Sequence, residues 1–285
     1  MPDAPPPTAH ALADHRPPWP FPPWVAHRGA GKLAPENTLA AFRVGAAHGY
    51  RMFECDVKLS VDGVPFLLHD STLERTTNGL GTAGEQPWAA LSQLDAGAWH
   101  SSAFAGEPLP TLAAVAHCCQ ANGHGLNIEI KPTPGHEADT GRLVALAARA
   151  LWGTAAPSDT ATSPPAQVTT TAEGRPATEL AAAPLLTSFR VEALAAAQAA
   201  APELPRGLLL DSLWTGWLEQ ALALDCVAVV AHHPLWTESS VALARGAGLR
   251  TLAYTVNAPE EAQRLLALGL DGLITDRVDA FPPGA

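Results

Sequence analysis

The chain has 285 residues, of which 47% are hydrophobic, so it is long enough to bury a sizeable core in one or two domains. Its formal net charge of -11 argues against a duplex nucleic-acid partner, because the phosphates of a duplex require clustered lysine and arginine. The sequence has no uninterrupted apolar run of about 18 residues, so it predicts no transmembrane helix. Nothing in it predicts the oligomeric state.

The N-terminal segment, residues 1–23, predicts an extended arm. Residues 17–23 read PPWPFPP, and proline fixes φ and removes a backbone donor, which excludes a helix or a central strand. The segment has neither the basic start nor the apolar stretch of a secretory signal, so we expect a cytoplasmic location. The four cysteines lack zinc-ligand spacing and are expected to be reduced, buried side chains.

From residue 24 onward, short apolar runs alternate with amphipathic stretches, which indicates alternating strands and helices. Asn37-Thr38 is expected to cap the first helix, and Asn257 with Glu260 forms a predicted capping box for the last. Nine strands are predicted, at residues 24–27, 52–57, 64–69, 126–131, 185–188, 207–211, 226–231, 251–256 and 272–275. Helices are predicted after Thr38 and Thr111, at 139–152, 191–200, 213–224 and 238–247, and after Asn257.

The second and third strands predict a β-hairpin. Only residues 58–63 join them, whereas a parallel crossover needs a dozen residues or more. A two-residue turn at Asp62-Gly63 would place His69 opposite Asp56. Without the hairpin arm, eight β/α units remain, the number in a (β/α)8 TIM barrel of the α/β class.

Two segments interrupt the alternation. Residues 70–110, rich in glycine and tryptophan, are too long for a connector and predict a small insertion that caps one face of the barrel. Residues 154–183, rich in Ala, Thr, Pro and Ser, predict a low-complexity loop without a catalytic role. The barrel domain, with both segments inside it, is predicted to span residues 24–280.

Carboxylates occupy one face of two predicted strands. Because side chains alternate along a strand, Glu54 and Asp56 point the same way, and Glu129 shares a face with Lys131. Three carboxylates from two strand ends can hold a hard divalent ion, Mg²⁺ or Ca²⁺. Spacing alone leaves open the alternative that these carboxylates only pair with Arg28 and Lys131.

Two histidines lie at predicted strand ends near these carboxylates. His27 ends the first strand and His69 ends the hairpin arm. Their position beside carboxylates favours an acid–base pair over purely structural roles. Arg28 and Lys131 add positive charge, which indicates an anionic, phosphate-containing substrate.

An ordered set of short motifs runs from about residue 24 to residue 277. The motifs are AHRG (26–29), PENT (35–38), ECDV (54–57), LHD (68–70), RTT (75–77), LDAG (94–97), PTL (110–112), IEIK (128–131), TVN (255–257) and DGLITD (271–276). Each is weak alone, but together and in this order they resemble the glycerophosphodiester phosphodiesterases.

The resemblance implies a (β/α)8 barrel with a small insertion after the His-Asp motif. It implies that Glu54, Asp56 and Glu129 hold a divalent metal ion and that His27 and His69 are catalytic.

The resemblance also implies that Arg28 and Lys131 bind phosphate. Tyr254 stands where the family often has tryptophan, so we expect Tyr254 to line the substrate pocket. The implied reaction is hydrolysis of a small glycerophosphodiester, such as glycerophosphocholine, to glycerol 3-phosphate and an alcohol. His27 is favoured as the base and His69 as the acid, with the reverse left open, as is attack by water or by the glycerol 2-hydroxyl.

Three other functions remain open. A lysophospholipid substrate would need an apolar entrance, for which Trp88, Trp99 and Phe104 are candidates. A headgroup-binding module without turnover would not need paired acid–base groups. A Schiff-base lyase would use Lys131, but Glu129 nearby keeps that amine protonated.

Overall fold

The alternating pattern folds into a closed barrel of parallel strands surrounded by helices. The computed structural model describes residues 19–153 and 183–283. The strands there are β1 (Trp24–Ala26), β2 (Met52–Leu59), β3 (Pro65–Leu67), β4 (Gly125–Ile130), β5 (Leu185–Ser188), β6 (Arg206–Leu210), β7 (Ala228–His232), β8 (Arg250–Tyr254) and β9 (Gly272–Thr275). The helices are α1 (Leu39–Ala47), α2 (Trp88–Leu91), α3 (Leu112–Ala121), α4 (Glu137–Trp152), α5 (Val191–Ala200), α6 (Trp217–Ala223), α7 (Glu238–Gly246) and α8 (Pro259–Ala267).

The strand order confirms the predicted (β/α)8 barrel. In the described residues, β2 pairs with β4, each strand from β4 to β9 pairs in parallel with the next, and β9 pairs with β1. The pairing of Ala26 with Phe53 closes the circle between β1 and β2. Strand β3 lies outside the circle, antiparallel to β2, as the short connection requires.

Alternation along the strands builds two apolar layers. Side chains such as Val25, Met52 and Val230 fill the barrel interior, whereas Cys55 and Ile128 face the surrounding helices. The interior layer begins earlier than the first strand, because buried Phe21 packs with it. Most of the predicted arm, residues 1–18, lies outside the described residues, as does the predicted loop at 154–183 except for its last residue.

The hairpin register differs from the prediction by one residue. Val57 pairs with Leu67, and the amide of Leu68, rather than that of His69, donates to the carbonyl of Asp56 at 3.1 Å. The turn has three residues because Ser60 pairs with Val64, and Gly63 adopts the left-handed φ of +80° that such a loop needs. The predicted placement of His69 opposite Asp56 is therefore wrong.

Three helix starts also differ from the prediction, and the first of them is α4, which begins at Glu137 rather than at residue 139. Helix α8 begins at Pro259 without a side-chain cap, so the predicted capping box at Asn257 is wrong. The Asn257 side chain instead bonds to Asp276 after β9. Helix α6 begins at Trp217, because Gly216 before it has a φ of +91°. Thr38 caps α1 as predicted, by accepting a hydrogen bond from the Ala41 amide.

The insertion after the hairpin has its own small core and is fastened to the rest of the barrel. Glu107 accepts a hydrogen bond from the Ala40 amide at the start of α1, at 2.8 Å, and His100 contacts the Lys32 carbonyl at 3.0 Å. Since Lys32 follows β1, the insertion lies over loops at the carboxyl ends of the strands. Its core comprises Phe66, Leu68, Leu73, Ala83, Leu91, Ala96 and Leu109.

Two further predictions concern the cysteines and the membrane. All four cysteines are free, and Cys55, Cys119 and Cys226 are buried. In the described residues, no helix has both the length and the apolar character that crossing a bilayer requires. The cytoplasmic location stays a prediction.

Candidate active site

A cavity of about 170 Å³ opens at the carboxyl ends of the barrel strands. This is the end of a (β/α)8 barrel at which active sites are built. One wall is charged, and the other carries Phe189, Leu209, Tyr254 and Ile274. The predicted site residues that line it are His27, Arg28, Glu54, His69, Glu129, Lys131 and Tyr254. The remaining one, Asp56, is only 1% exposed and lies against this charged wall.

The three predicted carboxylates come together because β2 and β4 pair in register. Asp56 pairs with Glu129, and Glu54 lies two residues before Asp56 on the same face of β2. Oxygens of Glu54, Asp56 and Glu129 all lie within 4.8 Å of one another, and all three residues are buried. Burial and the negative charge of Asp56 raise the pKa of Glu54 to about 8 and also raise the pKa of Glu129.

Basic side chains neutralise part of this cluster. The Nε atom of Arg28 lies 3.3 Å from Asp56, and Lys131 Nζ lies 2.7 Å from Glu129 and 3.5 Å from Asp56. Burial raises the pKa of Asp56, but the two cations outweigh it, so the pKa falls below its usual range. In the described parts of the chain, the ion-pair partner of Glu54 is His27, at 3.7 Å.

The donor set fits a hard divalent cation. Three buried carboxylates, of which Asp56 raises the pKa of the other two, are costly together unless a cation joins them. Oxygen-only ligands are those that Mg²⁺ and Ca²⁺ prefer. Among the described residues, the alternative that the carboxylates only pair with Arg28 and Lys131 accounts for Asp56 and Glu129 but leaves Glu54 with His27 as its ion-pair partner.

His27 follows β1 and is held by an aspartate. Its Nδ1 atom lies 2.6 Å from Oδ1 of Asp276, which follows β9. Burial lowers the pKa of His27, but the hydrogen bond to Asp276 and the charge of Glu54 outweigh it, so the pKa is raised. Asn257 in turn donates to Asp276 at 2.9 Å and fixes its orientation.

His69 also lines the cavity and is held in the same way. Its Nδ1 atom lies 2.6 Å from Oδ1 of Asp70. Burial lowers the pKa of His69, and the positive charges of Arg28 and Lys131 add to that effect. Strand β3 ends at Leu67, so the chain has left the sheet at His69 and brings its side chain to the cavity despite the shifted register.

The backbone around the charged wall adopts uncommon conformations. Arg28 and Asn37 both have positive φ, at 51° and 58°, a region that residues other than glycine rarely adopt. Asn37 uses this conformation to clamp Asp56, by donating to its carboxylate at 2.8 Å and accepting from its amide at 3.0 Å. Such strained residues cluster at functional sites.

Sequence reasoning missed several residues of this site. Lys58 continues the face of Glu54 and Asp56 by two more positions, so alternation alone could have identified it. It is buried, and its Nζ donates to the Lys131 carbonyl at 3.2 Å. Asp276 and Asn257 follow strand ends and could have been found there. Other missed members, on loops, are Glu36, Asn37, Asp70 and Arg75.

Comparisons with known proteins agree with this geometry. The sequence model of the glycerophosphoryl diester phosphodiesterase family matches residues 27–280. A glycerophosphodiester phosphodiesterase of Caldanaerobacter subterraneus is 30% identical over 260 residues, which cover 88% of this chain and 93% of that protein.

Solved structures give the same result. A phosphodiesterase of Oleispira antarctica, solved in complex with the product sn-glycerol 3-phosphate, is 33% identical with a TM-score of 0.76, and the match covers 91% of this chain and 95% of that one. A glycerophosphodiester phosphodiesterase of Agrobacterium tumefaciens is 25% identical with a TM-score of 0.69, over 92% of this chain and 99% of that one. The chain therefore belongs to the glycerophosphoryl diester phosphodiesterase family, whose members hydrolyse glycerophosphodiesters.

Proposed function

We propose that the chain hydrolyses small glycerophosphodiesters, such as glycerophosphocholine, to glycerol 3-phosphate and an alcohol. One observation carries the proposal: a single cavity joins a buried carboxylate cluster, two basic side chains and two histidines, each held by an aspartate at 2.6 Å. The Oleispira antarctica relative, which holds sn-glycerol 3-phosphate as product, supports the same reaction.

Glu54, Asp56 and Glu129 would hold one divalent cation, Mg²⁺ or Ca²⁺. When bound, such an ion supplies Lewis-acid stabilisation of charge on a phosphate oxygen and orients the substrate. The charges of the site agree with this assignment. A divalent ion leaves the three carboxylates with one negative charge in excess, a phosphodiester adds another, and two basic residues balance both.

Arg28 and Lys131 would bind the phosphate. Both side chains are partly buried on the charged wall of the cavity, and the charges of Asp56 and Glu129 raise the pKa of Lys131 despite its burial, so it stays protonated. The opposite wall, with Phe189 and Tyr254 at a ring separation of 5.8 Å, offers an apolar surface to the organic part of the substrate.

His27 and His69 would act as the acid–base pair. Ionised carboxylates only accept hydrogen bonds, so each Nδ1 donates to its aspartate and Nε2 is left to exchange a proton with the substrate. We favour His27 as the base that takes the proton of the attacking hydroxyl, and His69 as the acid that protonates the leaving alcohol. Glu54 contributes to the raised pKa of His27, and a divalent cation beside Glu54 would oppose that contribution.

The other functions have less support. The described residues that line the cavity do not include Trp88, Trp99 or Phe104, the entrance that a lysophospholipid would need. Trp88 instead packs with the core of the insertion. A Schiff-base lyase requires a neutral lysine, whereas the charges of Asp56 and Glu129 raise the pKa of Lys131.

The proposal is tested by identifying the products of the purified protein with ³¹P NMR. With Mg²⁺ or Ca²⁺ present, we expect glycerophosphocholine to yield glycerol 3-phosphate. Turnover of lysophosphatidylcholine alone, with lysophosphatidic acid as product, would replace the proposal with the lysophospholipid alternative. Saturable binding of glycerophosphocholine without any turnover would replace it with the headgroup-binding module.

A further inference from the structure

Arg75, in the insertion, binds two carboxylates at once. Its guanidinium donates to both oxygens of Glu36, from Nη1 and Nη2 at 2.8 Å each. It also donates to both oxygens of Asp70, from Nε at 2.5 Å and from Nη2 at 3.0 Å. Two bidentate pairs on one side chain use the planar fork of donors that only arginine provides.

Each of these carboxylates continues to a predicted functional side chain. Glu36 Oε1 accepts a hydrogen bond from Arg28 Nη1 at 2.8 Å, and Asp70 Oδ1 accepts from His69 Nδ1 at 2.6 Å. Arg75 is therefore the middle member of one continuous series of hydrogen bonds, which joins Arg28, the proposed phosphate-binding residue after β1, to His69 after β3.

The surroundings of Arg75 separate this role from a role in folding. Its side chain is 45% exposed, and ion pairs formed by side chains exposed to solvent contribute little to stability. Burial raises the pKa of Glu36, but the hydrogen bonds from Arg75 and the charge of Arg28 outweigh it, and the hydrogen bonds from Arg75 also lower the pKa of Asp70, so both carboxylates stay ionised. Without Arg75, Glu36 would have Arg28 as its remaining partner and Asp70 would have His69.

We propose that Arg75 is a positioning residue, which sets Arg28 and His69 relative to each other through Glu36 and Asp70. The proposal rests on the proposed function of the same site. It explains why the Arg-Thr-Thr motif lies in the insertion, outside the barrel that carries the other groups. The barrel supplies the carboxylates and basic residues, and the insertion couples one histidine to them.

The first test compares Arg75→Met with Arg75→Lys. We expect Arg75→Met to lower kcat/KM about 10- to 100-fold, the scale found when a partner that orients a ligand side chain is removed. Arg75→Lys should recover only a minor part of the lost kcat/KM, because an ammonium group cannot make two bidentate pairs. Full recovery in Arg75→Lys would show that charge alone suffices and would overturn the proposal.

Single variants distinguish the two sides of this series of hydrogen bonds, the side that leads to His69 and the side that leads to Arg28. Asp70→Asn should mainly lower kcat, because it acts through His69, and Glu36→Gln should mainly raise KM, because it acts through Arg28. Arg75→Met should show both effects. The matched control is Arg43→Met, which removes a different exposed arginine that ties α1 to the insertion, at 3.4 Å from Glu107, and should leave activity unchanged.

A double-mutant cycle tests whether Arg75 acts through His69. In a His69→Ala background, measured at high enzyme concentration, Arg75→Met should cause little further loss of kcat, because the group that it positions is gone. If the loss of kcat in the double variant equals the product of the losses in Arg75→Met and His69→Ala, the two residues act independently and the proposal is overturned.

A spectroscopic readout separates this proposal from the reaction itself. The imidazole ¹⁵N shifts of His69, which report its tautomer, should change in folded Arg75→Met. The ¹⁵N shifts of His27 in that variant, and those of His69 in Arg43→Met, should stay at their wild-type values. Unmoved His69 shifts would overturn the inference even if glycerophosphocholine is hydrolysed. Moved shifts in a protein that releases no glycerol 3-phosphate would sustain the inference and reject the proposed function alone.

Discussion

The two histidines of the site are built alike but from different parts of the chain. His27 takes its aspartate from β9, 249 positions away, whereas His69 takes its own from the next residue. In the mechanism that we propose, both arrangements leave Nε2 as the atom that exchanges a proton. The difference makes His27 dependent on closure of the barrel and His69 dependent on the local chain and the insertion.

Replacing either histidine should remove catalysis without unfolding the protein. We expect His27→Ala and His69→Ala to lower kcat at least about 100-fold, the lower end of what acid–base catalysis contributes. Circular dichroism and the melting temperature should stay close to wild type, since both side chains line the cavity rather than the packed layers. Near wild-type rates in both variants would contradict the acid–base assignment.

The leaving group decides which histidine is the acid. A p-nitrophenyl ester of glycerol phosphate needs no protonation of its leaving group, so it should restore the rate of His69→Ala but not that of His27→Ala. Restoration of His27→Ala instead would reverse the two roles.

Glu54→Gln should weaken metal binding and stabilise the metal-free protein. The folded pKa of Glu54, about 8, lies above the ordinary value of 4.5, so the fold favours the protonated form. Stability of the metal-free wild type should therefore fall as pH rises from about 4.5 to 8, because the unfolded chain releases this proton more readily. Glutamine has no proton to release, and the variant should lack this dependence.

Calorimetric titration with Mg²⁺ or Ca²⁺ and urea unfolding in EDTA measure these two effects. Unchanged metal affinity in Glu54→Gln would contradict the ligand assignment. If metal-free Glu54→Gln is less stable than metal-free wild type at pH 8, the claim that the ionised Glu54 destabilises the metal-free fold is wrong.

The residues predicted from the sequence share one property: they sit on strands or at strand ends. Alternation placed Glu54, Asp56 and Glu129 on one face, and the structure confirms that they meet. Glu36, Asn37 and Arg75 were missed because they lie on loops, whose path depends on tertiary contacts. The positive φ of Asn37 is an example, since no local sequence pattern predicted this backbone conformation.

At the scale of elements, strand and helix types were predicted well and their junctions were not. The hairpin register was wrong by one residue because a two-residue and a three-residue turn fit the same Asp62-Gly63 signal. The capping box at Asn257 was wrong because a tertiary partner, Asp276, competes for the same side chain. Both errors arise from contacts or geometry that sequence spacing does not encode.

Two glycines in helices test how closely the outer layer packs. A Cβ at Gly141 in α4 would lie 2.0 Å from the Ala193 carbonyl of α5, whereas one at Gly246 in α7 meets nothing within 4 Å. We expect Gly141→Ala to destabilise the protein by about 1–3 kcal/mol, because the two helices must separate. Gly246→Ala should be stabilising by about 0.5–1 kcal/mol, because it reduces the freedom of the unfolded chain.

Urea unfolding of the two glycine variants gives the free energies, and kcat should stay unchanged in both. A stable Gly141→Ala would show that α4 and α5 are less closely packed than the structure has them.

At the scale of the whole molecule, the barrel gathers charges that are far apart in the sequence. Residues on or just after β1, β2 and β4 supply most of the charged wall, and residues on or just after β5, β6, β8 and β9 supply the apolar one. The proximity of these charged residues could be predicted only once the barrel fold had been predicted, because a closed barrel brings the carboxyl ends of all its strands to one face. We propose that the domain spans residues 24–280 with the insertion inside it, the boundaries expected from the sequence.

We propose metal-dependent hydrolysis at this one site. The most direct measurement is release of glycerol 3-phosphate from glycerophosphocholine, followed with a coupled dehydrogenase, after EDTA treatment and again after addition of Mg²⁺ or Ca²⁺. We expect release that EDTA abolishes and that one of the two ions restores, and no restoration in Glu54→Gln at the same ion concentration. Release that persists in EDTA, or no release from folded protein with either ion, would contradict it.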